Sequence, residues 1–211
     1  MKTRAFSLLE LAIVISIIAV IAAFAVPAVA TMLNGTILNQ ASQTLTAELT
    51  LARQFATSRN RAVEVRFLWF RDPEIPADSG GFHGIQLMEV QPSEVSVPLG
   101  KVELFPNAVA LCADSRSSLL DPAGTPPQVP RLPVASTDPS LPRGINQNYQ
   151  IVSFRFLPDG STTLAASQNW FATIISSKDQ NKGGTQLPAN FFTLQIDPVN
   201  GSTRGFRPNL P

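Results

Sequence analysis

Phe6-Ser-Leu-Leu-Glu10-Leu-Ala-Ile-Val-Ile-Ser-Ile-Ile-Ala-Val-Ile-Ala-Ala-Phe-Ala-Val-Pro27-Ala-Val-Ala30 is an apolar run broken near its start by a single acid. Between Leu11 and Ala30 no side chain is charged. Twenty residues at about 1.5 Å each give roughly 30 Å of helix, the thickness of a bilayer's hydrocarbon core. A carboxylate inside such a segment costs about 2.5–3.5 kcal/mol at the helix centre and less near an end, so Glu10 calls for a partner, a task or an escape to the headgroups.

Lys2 and Arg4 precede the run, and the next basic residue is Arg53. This asymmetry predicts a cytoplasmic amino terminus, with the remainder of the chain across the membrane. Three processing fates fit the residues: a permanent anchor, a signal peptide cut after Ala28-Val29-Ala30, and a leader cut on the cytoplasmic side. The second leaves a secreted β-domain protein starting at Thr31, and Glu10 at the head of what should be an uncharged segment argues against it.

Farther along, Leu38, Ala41, Leu45, Leu49, Ala52 and Ala56 recur at spacings of three and four, predicting an amphipathic helix over 31–60 that lays this stripe on a sheet. If continuous from Phe6 to Arg59, the helix is about 80 Å long. Pro27 predicts a kink or local melting, and Asn34-Gly35 a second weak point. Arg53, Arg59 and Arg61 complement the negative end of the helix dipole, and Ser58-Arg59-Asn60 reads as the stop.

Residues 61–211 read as one antiparallel β domain. Val63, Val65, Phe67 and Trp69 alternate with Glu64, Arg66 and Leu68, the period of a half-buried strand. Gly84–Val90 and Lys101–Phe105 suggest a meander with it. Further strands are expected at Tyr149–Phe156, Asn169–Ile175, Phe191–Asp197 and Ser202–Arg207, with turns at Pro158-Asp159-Gly160 and Asn200-Gly201. Seven prolines fall within 113–143, which reads as a long surface loop. The fold class is therefore α+β, a long N-terminal transmembrane and amphipathic helix packed on an antiparallel sheet.

The start of the chain, Arg4-Ala5-Phe6-Ser7-Leu8-Leu9-Glu10 followed by the apolar run and Pro27, resembles the amino terminus of type IV pilins and type II secretion pseudopilins. The resemblance implies a leader of residues 1–5, cleavage between Ala5 and Phe6 by a prepilin peptidase, methylation of the new amino group on Phe6, and a membrane half of the helix over 6–30. Ala5 departs from the family, which usually carries Gly there. Glu10 matches the family's signature acid; in a bundle of parallel helices its carboxylate can meet the positive amino terminus of a neighbour and set axial register. The implied partners are other pilin or pseudopilin subunits, an inner-membrane assembly platform and the lipid bilayer. The implied location is the bacterial inner membrane with the C-terminal domain in the periplasm, and after assembly a periplasmic or surface filament. Leu51–Val65, Phe154–Gly160 and Ile196–Gly201 are similar to H-type minor pseudopilins. Leu51–Phe70, Pro98–Val102 and Asn190–Pro198 resemble the Verru_Chthon cassette protein D family more closely.

Catalytic chemistry is not expected. No phosphate-cradling loop or dinucleotide fingerprint is present, and His83 is the only histidine, with no nucleophile elbow to serve. A lone Cys112 allows no intramolecular disulfide and no four-cysteine zinc site, and it reads as a small core residue. No metal or other cofactor is expected. A formal net charge of +1 disfavours a nonspecific nucleic-acid binder. Arg204 and Arg207 are the candidate partner-contact residues, either phosphate contacts in a minor pilin-like DNA receptor or charges guarding an edge strand.

Overall fold

A computed structural model describes residues 8–71, 80–122, 132–134, 149–180 and 186–208, with the side chains of 25–34 and 132–134 left out of the description. Ala5 and Phe6 lie outside these residues. Helix α1 spans Leu8–Arg59, and its helical backbone runs unbroken through Pro27 and through Asn34-Gly35. The chain divides into two compact units, residues 1–36 and 37–211.

In the second unit the periodic stripe of α1 forms the centre of the core. Leu38 is 2% exposed, and Ala41, Leu45, Leu49, Ala52 and Ala56 are fully buried. The mixture of large and small residues along one helix face lets the sheet approach closely at the alanines while the leucines fill the space between strands. The helix stops at Arg59 because Asn60 adopts a left-handed conformation, φ 51°, and Arg61 N–H returns to Ala56 O at 3.2 Å. That bond closes a Schellman cap, which an Asn at this position permits. Arg59 then pairs with Glu89 at 2.8 Å and lies over the Phe55 ring, with Arg61 3.8 Å from the same carboxylate. The arginines expected to answer the dipole thus also fasten the helix end to the sheet.

The sheet is antiparallel throughout. Its strands are β1 (Val63–Phe70), β2 (Gly81–Val90), β3 (Ser96–Pro98), β4 (Glu103–Leu104), β5 (Val109–Leu111), β6 (Leu132–Val134), β7 (Tyr149–Phe156), β8 (Trp170–Ser176), β9 (Phe191–Ile196) and β10 (Thr203–Phe206). Their order is β10-β9-β8-β5-β2-β1-β7-β6, with β3 and β4 also on β2. The expected meander is present: β1 pairs with one side of β2, and β4, within Lys101–Phe105, pairs with the other side of β2. Beyond it, Pro98, Gly100 and Pro106 break the chain into three short strands that pair with successive parts of β2, at Val90–Met88, Ile85–Gly84 and Phe82. β7 returns to the other side of β1, with Val63 opposite Phe156 and Trp69 opposite Gln150.

Two expectations need correction. β1 is not half-buried: besides the helix-facing Val63, Val65 and Phe67, Leu68 and Phe70 are buried in a second cluster with Val102, Tyr149 and Ile151 on the opposite face. A central strand between β2 and β7 has no solvent side to spare. Nor is 113–143 simply a surface loop. Ser117, Leu119 and Leu120 are buried, Leu119 N–H reaches Phe171 O at 3.1 Å, and Leu132–Val134 adds an edge strand to β7. Pro133 is tolerated because it lies on an edge strand. Residues 123–131 and 135–143 of that segment lie outside the described set.

The opposite face of β1 also holds Glu64, whose side chain is only 8% exposed. Its carboxylate receives Arg66 Nε at 2.9 Å, Arg66 Nη2 at 3.2 Å and the Ser96 hydroxyl at 2.7 Å. Burial by itself would raise the carboxyl's pKa, but the hydrogen bonds from Arg66 and Ser96 outweigh it and hold the group below the ordinary glutamate value. A depressed folded pKa contributes stability that is present above the unfolded value and is lost as pH falls through the folded one. In urea unfolding, Glu64→Gln is therefore expected to lower stability at neutral pH, with the gap to the parent shrinking at about pH 3. A gap that stays constant between the two conditions contradicts this account of Glu64. Separately, Leu49→Ala is expected to cost about 2–5 kcal/mol in the same measurement, since it opens a cavity under the fully buried stripe.

Candidate functional site

The amino-terminal part of α1 breaks the rule that apolar side chains turn inward. Every described residue from Leu8 to Phe24 is exposed. Leu8 is 88% exposed, Ile18 60%, Ile21 62% and Phe24 77%. At about 100° per residue, apolar side chains at 11, 13, 14, 15, 17, 18, 20, 21 and 24 surround the helix and leave it without a polar face. The lone hydroxyl in this stretch is turned inward: Ser16 Oγ donates to Ala12 O at 2.8 Å. A helix apolar on all sides belongs in an apolar medium, either lipid or the interior of a bundle of similar helices.

Glu10 lies in the first turn of this helix and is exposed, where the amino-terminal end of the dipole favours a negative charge. It is the one acid between Leu8 and Phe24, set one turn from the end of an otherwise uncharged surface. Among the described residues no helix is long and apolar enough to cross a membrane. The apolar run of the sequence continues past Phe24 through residues 25–30, whose side chains are not described. Pro27 is among them, and of it only the helical backbone is on record.

The two candidate contact arginines have different surroundings. Arg204 is exposed on β10, its guanidinium 5.0 Å from the centre of the Phe206 ring. Arg207 instead clasps the helix: its guanidinium donates to Asn39 Oδ1 and, at 3.2 Å, to Asn190 Oδ1. Held in this way, Arg207 ties the end of β10 to α1 and does not stand beside Arg204 as a basic pair. No local sequence signal marks Asn39 as its partner, 168 residues away.

The remaining reactive side chains sit in the fold of the second unit. Cys112 is fully buried directly after β5, and burial pushes its thiol up to about 12, so it remains protonated and packs as a small apolar group. His83 is 6% exposed within β2, its ring 5.1 Å from that of Phe70. Asp114 receives Arg116 Nη2 at 2.6 Å, and this hydrogen bond holds its carboxyl below the ordinary range. Among the described residues no cluster of three or more His, Cys, Asp or Glu side chains is placed to hold a metal.

No protein-family model matches the chain, and no curated protein matches it. Among solved structures, its fold is similar to that of the minor pseudopilin EpsH from the type 2 secretion system of Vibrio cholerae, at 8% identity over 82% of this chain and 98% of that one, with a TM-score of 0.44. It is also similar to the type IV minor pilin FimU of Pseudomonas aeruginosa, at 15% identity over 82% of this chain and 92% of that one, with a TM-score of 0.45. Both likenesses concern the fold.

Proposed function

We propose that this chain is a pilin-like structural subunit, cut by a prepilin peptidase between Ala5 and Phe6, held in the bacterial inner membrane by the first part of α1, and assembled with other such subunits into a pilus or pseudopilus. The observation that carries the reading is the helix from Leu8 to Phe24, exposed on every side, apolar throughout and charged only at Glu10. Such a surface serves twice. In the bilayer it matches the lipid tails, and in a filament it packs against copies of itself. The domain it carries supplies a sheet with its own core, so the subunit's role is structural and its chemistry is recognition.

Glu10 gives the assembly its register. An anchored subunit holds one carboxylate and one amino terminus in a low-dielectric layer, where each is costly alone. When a neighbour slides to the depth at which its amino group meets this carboxylate, both costs fall together, and other offsets leave them unrelieved. Methylation of the Phe6 amino group leaves its positive charge in place. The peptidase and an assembly platform in the same membrane are the partners this route requires.

The discriminating variant is Glu10→Leu. It makes the segment more apolar, so membrane fractionation should show insertion at the parent's level, while recovery in sheared filaments or in crosslinked subunit complexes falls by about tenfold or more. Incorporation at the parent's level contradicts the register mechanism, and loss of the variant from the membrane fraction contradicts the anchoring role of the segment.

A further inference from the structure

The link between β9 and β10 carries a reactive pair that the fold holds still. Asn-Gly occurs twice in the chain, at Asn34-Gly35 within the helical backbone of α1 and at Asn200-Gly201 in this link. In such a pair the glycine nitrogen attacks the asparagine carboxamide readily, since no side chain on the glycine obstructs the approach. The Gly201 amide gives its proton to hydroxide, a bond forms from its nitrogen to Asn200 Cγ, the Cγ–Nδ2 bond breaks, and ammonia leaves with a proton from water. Water then opens the cyclic imide. Hydrolysis at one carbonyl yields aspartate, and at the other it yields isoaspartate, in which the main chain runs through Cβ.

Asn200 is exposed, so water reaches it, and what restrains the reaction is hydrogen bonding. Gly201 N–H donates to Asp197 O at 2.9 Å, which closes an α-turn and commits the attacking nitrogen. The carboxamide is fixed at both atoms. Its Nδ2 donates to Asp197 Oδ2 at 2.8 Å, and its Oδ1 accepts Ser202 N–H at 2.7 Å. Asp197 is held in turn by Val199 N–H on its Oδ1 at 2.9 Å and by its own N–H on Ser202 O at 2.9 Å. For the nitrogen to reach Cγ, the Gly201 bond must break and the carboxamide must rotate out of its two bonds, which requires the turn to open.

The product does not fit the turn it came from. Gly201 sits at φ 65°, packed against Gly160 O and with the Phe156 ring 3.0 Å from where a Cβ would stand. An isoaspartate adds one main-chain atom between Asp197 and Gly201 and leaves a free carboxylate beside them. The lengthened link cannot keep the Gly201 bond to Asp197 O, the Asp197 bond to Ser202 O and the Gly201 contact with Gly160 together. These contacts begin the register in which Thr203 meets Ile196 and Phe206 meets Thr193.

We propose that Asn200 is a succinimide-forming modification site kept unreactive by the Asp197 turn, and that its conversion to isoaspartate, once the turn has opened, releases β10 from β9. The only co-reactant is water. Because β10 leads to Arg207, whose guanidinium bonds Asn39 on α1, release of the strand also unfastens that tie to the helix. A transient opening of the hairpin is thereby made permanent. The proposal does not depend on membrane anchoring or on filament assembly.

The test ages the full chain in detergent at mildly alkaline pH, folded or in concentrated urea, and follows Asn200 in the tryptic peptide 183–204 by mass spectrometry. The folded chain should convert about tenfold or more slowly than the unfolded one. Asp197→Asn keeps an oxygen for Val199 N–H and loses the acceptor for the Asn200 carboxamide, so it should speed conversion of the folded chain about threefold or more and leave the rate in urea unchanged. For release, the chain aged in urea is refolded, and its isoaspartate form should be cut by brief trypsin treatment after Arg204 about tenfold faster than the unaged chain. Asn200→Ser forms no imide, and after the same ageing it should show no gain in cutting. Equal conversion in the folded and unfolded chains, indifference of the folded chain to Asp197→Asn, an unchanged cutting rate, or an equal gain in Asn200→Ser overturns the proposal. If a circular dichroism melt shows that Asp197→Asn does not fold, the comparison with urea and the cutting rates decide.

Discussion

The burial of one helical stripe underlies the rest of the domain. Leu38, Ala41, Leu45, Leu49, Ala52 and Ala56 are removed from water almost completely against strands that come from both halves of the sheet, from Val63 and Phe67 at one side to Leu194 and Ile196 at the other. Burying a leucine side chain contributes about 1.5–3 kcal/mol, so this row is a large fraction of what any domain of this size has to spare. Among the described residues the two sheet halves meet through the short strand β5, which touches β2 at the pair Phe82 and Leu111. The stripe is thus what makes β8-β9-β10 and β1-β2-β7 share one core, and the Schellman cap and the Arg59–Glu89 pair hold the helix end where the stripe needs it.

The same helix carries two opposite surfaces along its length. Residues 38–56 show an apolar face and a polar face, the pattern of a helix on a sheet. Residues 8–24 have no polar face at all and only one charge.

Much of this was legible from residue patterns, because patterns report on what a residue's own neighbours along the chain must do. The three-and-four spacing located the buried face of α1 residue by residue, alternation located β1, and the turns around them helped to place β7 and β9. Asn60 as the helix stop and Gly201 as a turn residue followed from the conformations open to Asn and Gly. What escaped was set by distant parts of the chain. The two-sided burial of β1 depends on β7 arriving from more than eighty residues away, as the pairing of Trp69 with Gln150 shows. The Glu64 carboxylate takes its hydrogen bonds from Ser96 as well as its near neighbour Arg66, and Arg207 spends its charge on Asn39. Proline content suggested a loop at 113–143 without revealing that Leu119 and Leu120 would be drawn into the core. For the candidate site, Glu10 and the apolar run were readable as an anomaly of composition.

The account rests on the apolar helix surviving in the mature protein as a working surface. Intact mass spectrometry of the native protein purified from its membrane tests this most directly. The account predicts a chain that starts at Phe6 and is one methylene heavier than the unmodified sequence. A mature chain that starts at Thr31 has lost Glu10 and the whole exposed segment, and contradicts it.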